Sequence, residues 1–390
     1  MNIKNVSLVL QNGVTEPTDL RIEDGLIAEY GKALDAEASR CAIDGGGGYL
    51  FPGFIDVHVH GGGGADFMDA TPEAFAQAVK AHLSRGTTTL VPTALSATHE
   101  ELVGFLRAYR AFKECSPYAS CVSGVHLEGP YFSSATAKSK GAQKADVIRP
   151  IDFSEVDALL ALADGDIIRW DAAPELDGAD TFAKMLTEKG ITVAVAHSRA
   201  TAEETEKGYA AGFSHVTHFY NACTAYEKRD QVVTAGTVEA TYLNDSVTVE
   251  LIADGCHAPR ACMLLALKIK GEDKVIAITD AMRIAATDLQ TGKLGGSERG
   301  TDVIVEDGVA KLPDRSSFAG SIATTDRALR VLCVDYGIAP TVAAKMLSTN
   351  PARHIKREDI GSIAVGKKAD LVLADENFRV RAVFKNGKPV

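Results

Sequence analysis

Eight short apolar segments recur through the middle of the chain, and the stretches between them carry helical patterns. The segments are GFIDVH (53–58), TTTLVP (87–92), CVSGVHL (121–127), IIRWDA (167–172), ITVAVAH (191–197), SHVTH (214–218), VTVELIA (247–253) and VIAITD (275–280). Strands that are apolar on both faces need cover on both faces, and intervening helices supply it by making the sheet parallel. Eight such units predict an α/β fold that closes into a TIM-like (β/α)8 barrel. The helical stretches fit this rhythm. TPEAFAQAVKAHLSRG (71–86) opens with a capping threonine and a first-turn proline. EVDALLALA (155–163), DTFAKMLTEKG (180–190), TAEETEKGYAAG (201–212) and APRACMLLALKIKG (258–271) follow between later strands. LGGSERGTDVIVEDGVAKL (294–312) reads as a β excursion after strand eight, and DRALRVLCVDYG (326–337) as the closing helix.

The two ends of the chain read differently. IKNVSLVL (3–10), LRIEDGLIAEY (20–30), ADLVLAD (369–375) and VRAVFKNGKPV (380–390) are strands broken by turns, with Asp24-Gly25 suited to a type I′ hairpin and Asn386-Gly387 in the last turn. Neither end buries a core alone. They are expected to combine into one small β-sandwich domain, residues 1–52 with 350–390, beside a hydrolase barrel of residues 53–349.

Composition excludes several functions. A net charge of -11 leaves no basic footprint for nucleic acid, although a few cationic groups suffice for one anionic substrate. No apolar run reaches the ~18 residues of a membrane span. The seven cysteines, at 41, 115, 121, 223, 256, 262 and 333, are odd in number and form no CxxC. They read as reduced thiols of a cytoplasmic protein. The start, MNIKNVSLVLQNG, reads as a strand and turn and not as a secretory signal.

Catalytic groups of a (β/α)8 barrel collect where its strands end. His58 and His60 finish the first strand, two residues apart and so on one strand face. Glu128 follows the third, His197 the fifth, His218 the sixth and Asp280 the eighth. Any one of these can be a satisfied structural group; all six at the same end suit a borderline divalent metal. Asp280 is then the candidate general base, beside a metal-bound water of lowered pKa, returning its proton to a departing nitrogen. His126 shares the face of Glu128 and competes for that role or orients a ligand, while His215 stays ambiguous. His82 and His99 lie in or beside helical stretches, and Cys223 has no neighbouring base to make it a nucleophile.

The sequence resembles the N-acetylglucosamine-6-phosphate deacetylase family, within the amidohydrolase superfamily, along nearly its whole length. The anchors are PGFIDVHVHG (52–61), HLEGPYFS (126–133), AHS (196–198), THFYNACTAYEKR (217–229), ELIADGCH (250–257), ITDAMR (278–283) and FAGS (318–321). The resemblance implies that Glu128, His197 and His218 bind the principal divalent metal and that Asp280 is the catalytic base. It implies a second ion at His58 and His60, hence one or two ions per subunit, zinc or iron. A phosphorylated N-acetyl amino sugar is the implied substrate, met by Ala142, Gln143, Asn221, Ala222, Arg229, His257, Phe318, Ala319 and Gly320. The arginine matching Arg229 can reach a neighbouring subunit's site, which implies a homodimer. Gln143 departs from the pattern, since many relatives carry a histidine beside it; NAC replaces a common NAM, and RDQV (229–232) replaces an arginine-glutamate-proline-glycine run. The expected reaction is deacetylation of N-acetyl-D-glucosamine 6-phosphate. Alternatives are the galactosamine isomer, another N-acyl or cyclic-amide hydrolase, and a nonenzymatic barrel scaffold.

Overall fold

A computed structural model describes the chain apart from residues 32, 35–37, 39–41 and 230; the side chains of Ala137 and Arg229 also lie outside the description. Eight parallel strands form one sheet in sequential order: β1 (Phe54–Val59), β2 (Thr87–Ala94), β3 (Val125–Glu128), β4 (Ile167–Ala172), β5 (Thr192–Val195), β6 (Phe213–Val216), β7 (Thr248–Ile252) and β8 (Val275–Ile278). Past β8 the chain returns to β1 and closes the ring at its C-terminal rim. Asp280 N–H donates to His58 O at 3.0 Å and His60 N–H to Ala281 O at 2.8 Å. The expected barrel is therefore present.

Helices form where the caps and patterns place them. Thr71 Oγ1 accepts from Ala74 N–H at 3.2 Å to start Pro72–Leu83. Thr201 and Glu204 form a capping box ahead of Ala202–Ala211. His99–Cys115, behind a Thr98/Glu101 capping box, and the short Thr237–Leu243 add to the helices named from sequence. The closing helix is Thr325–Arg330, continued by a wider turn over Val331–Asp335. Strand alternation decides what enters the barrel. In β4, Trp170 packs outward on Phe182 of helix Ala179–Glu188, ring centroids 5.5 Å apart, while Arg169 and Asp171 turn inward. Trp170 Nε1 donates to Gly129 O at 2.9 Å, which ties down the turn immediately after Glu128.

The chain ends meet in a nine-stranded sheet. Asn2–Leu10 is shared by two arms, one containing Thr18–Glu23 and Leu26–Tyr30, the other Tyr49–Pro52, Leu371–Ala374 and Val380–Lys385. The arms fold toward each other across Ile3, Leu8, Leu20, Ile22, Leu50, Leu371 and Phe384. Both hairpin turns have positive φ at both central residues: 49° and 79° at Asp24 and Gly25, 48° and 73° at Asn386 and Gly387. They touch, so a Cβ added to Gly25 would lie 2.9 Å from Asn386 O.

The excursion after β8 is a three-stranded antiparallel sheet, Thr291–Leu294, Thr301–Glu306 and Val309–Lys311. Its return segment joins the barrel mouth through Ser321 N–H to Asp280 O at 2.7 Å. Among the described residues no helix is long and apolar enough to cross a membrane.

Candidate metal centre

The barrel brings His58, His60, Glu128, His197, His218 and Asp280 together, each less than a tenth exposed. Glu128 stands in the middle. Its Oε1 is 3.0 Å from His197 Nε2 and 3.2 Å from His218 Nε2. Its Oε2 is 3.4 Å from His60 Nε2 and 3.9 Å from His58 Nε2. Asp280 Oδ1 lies 3.1 Å from His60 Nε2 and 3.5 Å from His58 Nε2. Two triads result, His58/His60/Glu128 and Glu128/His197/His218, with the donor atoms of each triad within 4.8 Å of one another.

The rear atoms of the imidazoles show why a cation fits. His60 Nδ1 faces Thr93 O at 3.3 Å, His197 Nδ1 faces Ser139 O at 2.8 Å and His218 Nδ1 faces Asn221 O at 3.1 Å. His58 Nδ1 faces Glu250 Oε1 at 2.6 Å. Each partner only accepts, so each Nδ1 keeps its hydrogen and a neutral ring presents a bare Nε2 lone pair to the centre. The Nε2 atoms of His58 and His60 are 3.2 Å apart, as are those of His197 and His218. Lone pairs this close repel unless positive charge lies between them. The electrostatics agree. Burial opposes a charged His60, yet the Asp280 hydrogen bond and the Glu128 charge outweigh it and lift its pKa to about 9. His218 rises to about 9 in the same way, against burial, through Glu128. Burial pushes Glu128 upward, but His197 and His218 hold it well below the ordinary carboxylate range. The donor set and its charge suit a divalent metal.

Three of the six hold unusual backbone. His197, His218 and Asp280 have φ of 45°, 29° and 50°, the left-handed region that side chains other than glycine and asparagine seldom adopt. Each lies just past the end of its strand, where this turn sends the side chain over the barrel mouth instead of along the strand.

A cavity of about 470 Å³ opens over the centre. Ala142, Gln143, Asn221, Ala222, His257, Phe318 and Gly320 line it with His60, Glu128, His197, His218 and Asp280. His58 is sealed beneath them. Ala319 points the other way, buried with Met282, Leu294 and Val303 against the small excursion sheet. The Arg229 side chain falls outside the description; its backbone belongs to the strand Glu227–Arg229, paired with Val232–Thr234 in a hairpin absent from the sequence reading. Gln143 Nε2 donates to Glu128 Oε2 at 2.9 Å, and its Oε1 accepts from Ser96 N–H at 3.1 Å. His257 Nδ1 is 2.8 Å from Asp254 Oδ2, leaving Nε2 for the cavity. Asn221 Nδ2 is buried with no hydrogen-bond partner.

Other singled-out residues sort by their contacts. His126 Nε2 meets Asp171 Oδ2 at 2.9 Å and its ring stands edge-on to His58, a supporting place; burial and Arg169 depress it to about 4. His215 sits 3.3 Å from Glu250 Oε2. Burial raises the Cys223 thiol to about 12, far from a nucleophile. The sequence reading passed over Lys138, the one lysine or arginine among the described residues lining the cavity. It also passed over Arg169, Asp171 and Glu250, although charges inside otherwise apolar strands are a signal that they face a polar interior.

The sequence pattern of the amidohydrolase family matches residues 49–390. The chain is 32% identical to an N-acetylglucosamine-6-phosphate deacetylase of Lysinibacillus sphaericus, over 99% of this chain and 96% of that one. It is 30% identical to an N-acetylgalactosamine-6-phosphate deacetylase of Escherichia coli, over 98% and 97%. The structure superposes with a TM-score of 0.90 on an N-acetyl-D-glucosamine-6-phosphate deacetylase variant from Mycobacterium smegmatis in complex with N-acetyl-D-glucosamine-6-phosphate, at 29% identity, covering 100% of this chain and 98% of that one.

Proposed function

The chain belongs to the amidohydrolase family and, within it, to the N-acetylglucosamine-6-phosphate deacetylases, and from this premise we infer that it hydrolyses N-acetyl-D-glucosamine 6-phosphate to D-glucosamine 6-phosphate and acetate. The observation that carries the chemistry is the buried set of four imidazoles and two carboxylates under one cavity. We propose that Glu128, His197 and His218 hold the principal ion and His58 and His60 a second, zinc or iron. Such a cation, when bound, lowers the pKa of water and polarises an amide carbonyl. Asp280, at the cavity wall, takes the proton of the attacking water and delivers it to the departing amine nitrogen. A tetrahedral carbon cannot release its nitrogen as an amide anion at neutral pH, so that second transfer is required.

The remaining cavity residues serve recognition in this reading. The unpartnered Asn221 Nδ2 can donate to a sugar or phosphate oxygen, His257 Nε2 can accept from a sugar hydroxyl, and Lys138 offers positive charge. Ala142, Ala222 and Gly320 leave room beside them, Phe318 supplies an apolar wall, and Gln143 steadies Glu128. Arg229 would reach the phosphate of a partner's site in a homodimer. Exposed Tyr226, Val232 and Val233 on and beside its hairpin support that assembly, since large apolar groups in one region mark contact surfaces. A cytoplasmic setting is supported by six unpaired cysteines among the described residues.

Relatives acting on the galactosamine isomer keep that sugar as the second reading. The deciding experiment measures acetate and free-amine release from a panel of N-acetylhexosamines with and without 6-phosphate. The glucosamine 6-phosphate derivative should turn over best. Efficient cleavage of an unrelated amide, with no acetate from any phosphorylated N-acetylhexosamine, would overturn the assignment.

A further inference from the structure

The imidazoles of the centre differ in what stands behind them. His60, His197 and His218 rest on neutral peptide carbonyls, whereas His58 alone rests on a carboxylate. The contact is short, 2.6 Å from His58 Nδ1 to Glu250 Oε1, shorter than any contact among the six centre residues themselves. Glu250 is fully buried in the middle of β7, and Arg169 clamps it from β4 with Nη1 to Oε2 at 2.6 Å and Nη2 to Oε1 at 3.0 Å. Arg169 is fixed in turn by Asp171 at 2.9 Å and Thr217 Oγ1 at 2.6 Å. Glu250 Oε1 also accepts the backbone N–H of His218 at 3.1 Å, but the His218 imidazole is oriented separately by Asn221 O, so His58 is the one centre imidazole that Glu250 aims. Neither Arg169 nor Glu250 lines the cavity.

We propose that the Arg169–Glu250 pair is a positioning unit that aims His58 Nε2 and sets whether the centre retains a second divalent ion. A carboxylate behind an imidazole fixes its tautomer and rotation and makes its free nitrogen a better ligand. The guanidinium keeps that carboxylate from turning away. The inference rests on the metal-centre reading and not on which amide is cleaved, so counting bound metal tests it separately from the substrate.

The test titrates metal-free protein with Zn2+ alone against a chromophoric chelator, with bound zinc counted per chain and folding followed by circular dichroism. Two variants are compared with wild type. Glu250→Gln puts an amide N–H against either Arg169 or His58, a clash of donors. Arg169→Met with Glu250→Leu removes the pair together, and the Asp171 carboxylate left behind keeps Thr217 Oγ1 at 2.6 Å and His126 Nε2 at 2.9 Å. Wild type should take up two equivalents. Both variants should keep the first affinity and lose the second by about 10–100-fold, the usual cost of removing such a partner. His58→Asn should reproduce that single-ion stoichiometry. A pair that only stabilises the barrel would lower the melting temperature of the metal-free chain and leave both zinc affinities untouched. That result in either folded variant, or a wild-type chain that never takes a second equivalent, overturns the proposal.

Discussion

Replacing Asp280 by asparagine removes one charge and one proton acceptor while keeping the side chain's shape. The φ of 50° at this position favours asparagine over alanine, because asparagine adopts the left-handed region with little strain. The amide oxygen can keep the place of Oδ1, 3.1 Å from His60 Nε2, so the turn and the cavity should survive. No second carboxylate is free to stand in. Glu128 is the only other carboxylate in the described cavity wall, and His197, His218 and Gln143 already engage its oxygens. Acid–base catalysis contributes about 10²–10⁴-fold, or roughly 3–5 kcal/mol of barrier. With one group serving both proton transfers, the loss should approach the upper figure, about 10⁴-fold. The measurement is single-turnover acetate release at saturating N-acetylglucosamine 6-phosphate, with metal content taken on the same sample. The pH profile adds a sign. Burial pushes the Asp280 carboxyl up, but His58 and His60 bring it below its ordinary value. A base acts ionised, so the wild-type rate should hold level as pH falls toward the ordinary carboxylate range and drop only beneath it. Release within tenfold of wild type by folded, metal-loaded Asp280→Asn protein refutes the assignment.

Chelation should abolish turnover and a divalent ion restore it, and Glu128→Gln, which touches both triads, should lower bound metal and rate together in parallel elemental and kinetic assays. The metal-free chain should lose stability as pH rises. His60 and His218, ordinarily near 6.5, are lifted to about 9, so the stabilisation they give when protonated is complete below 6.5 and lost through about 9. It is of the order of 3 kcal/mol for either group, and melting curves with and without metal at several pH values should show the decline only without it. Arg229→Ala should cost about 2–4 kcal/mol, or roughly 30–1,000-fold, on the phosphorylated substrate alone, with Lys138→Ala showing a smaller penalty of the same selectivity. Equal losses for sugars with and without phosphate would remove either residue from phosphate recognition.

What the sequence made legible was periodic or local. The barrel followed from apolar segments at regular spacing, and the terminal sheet from two glycine turns whose positive φ values are both present. The six polar strand-end residues were visible because each interrupts an apolar run. Ala319 shows where adjacency misleads. Along FAGS its neighbours Phe318 and Gly320 line the cavity, and alternation turns Ala319 to the opposite side. Arg169 and Glu250 were harder still, since they stand on β4 and β7 and their pairing exists only once the sheet curls. A strand pattern reports that a charge faces inward; it does not report which charge it meets there.

The left-handed turns at His197, His218 and Asp280 set activity against stability. Backbone held in this region costs about 1–3 kcal/mol at each such residue, and the surrounding fold must bear it. Glycine would relieve that cost, and it would abolish the metal centre. A descendant freed from selection for catalysis can therefore become a sturdier barrel by discarding its ligands first. Among relatives of this fold, high thermal stability combined with glycine at those turns should mark chains that have abandoned hydrolysis, however closely their barrels superpose.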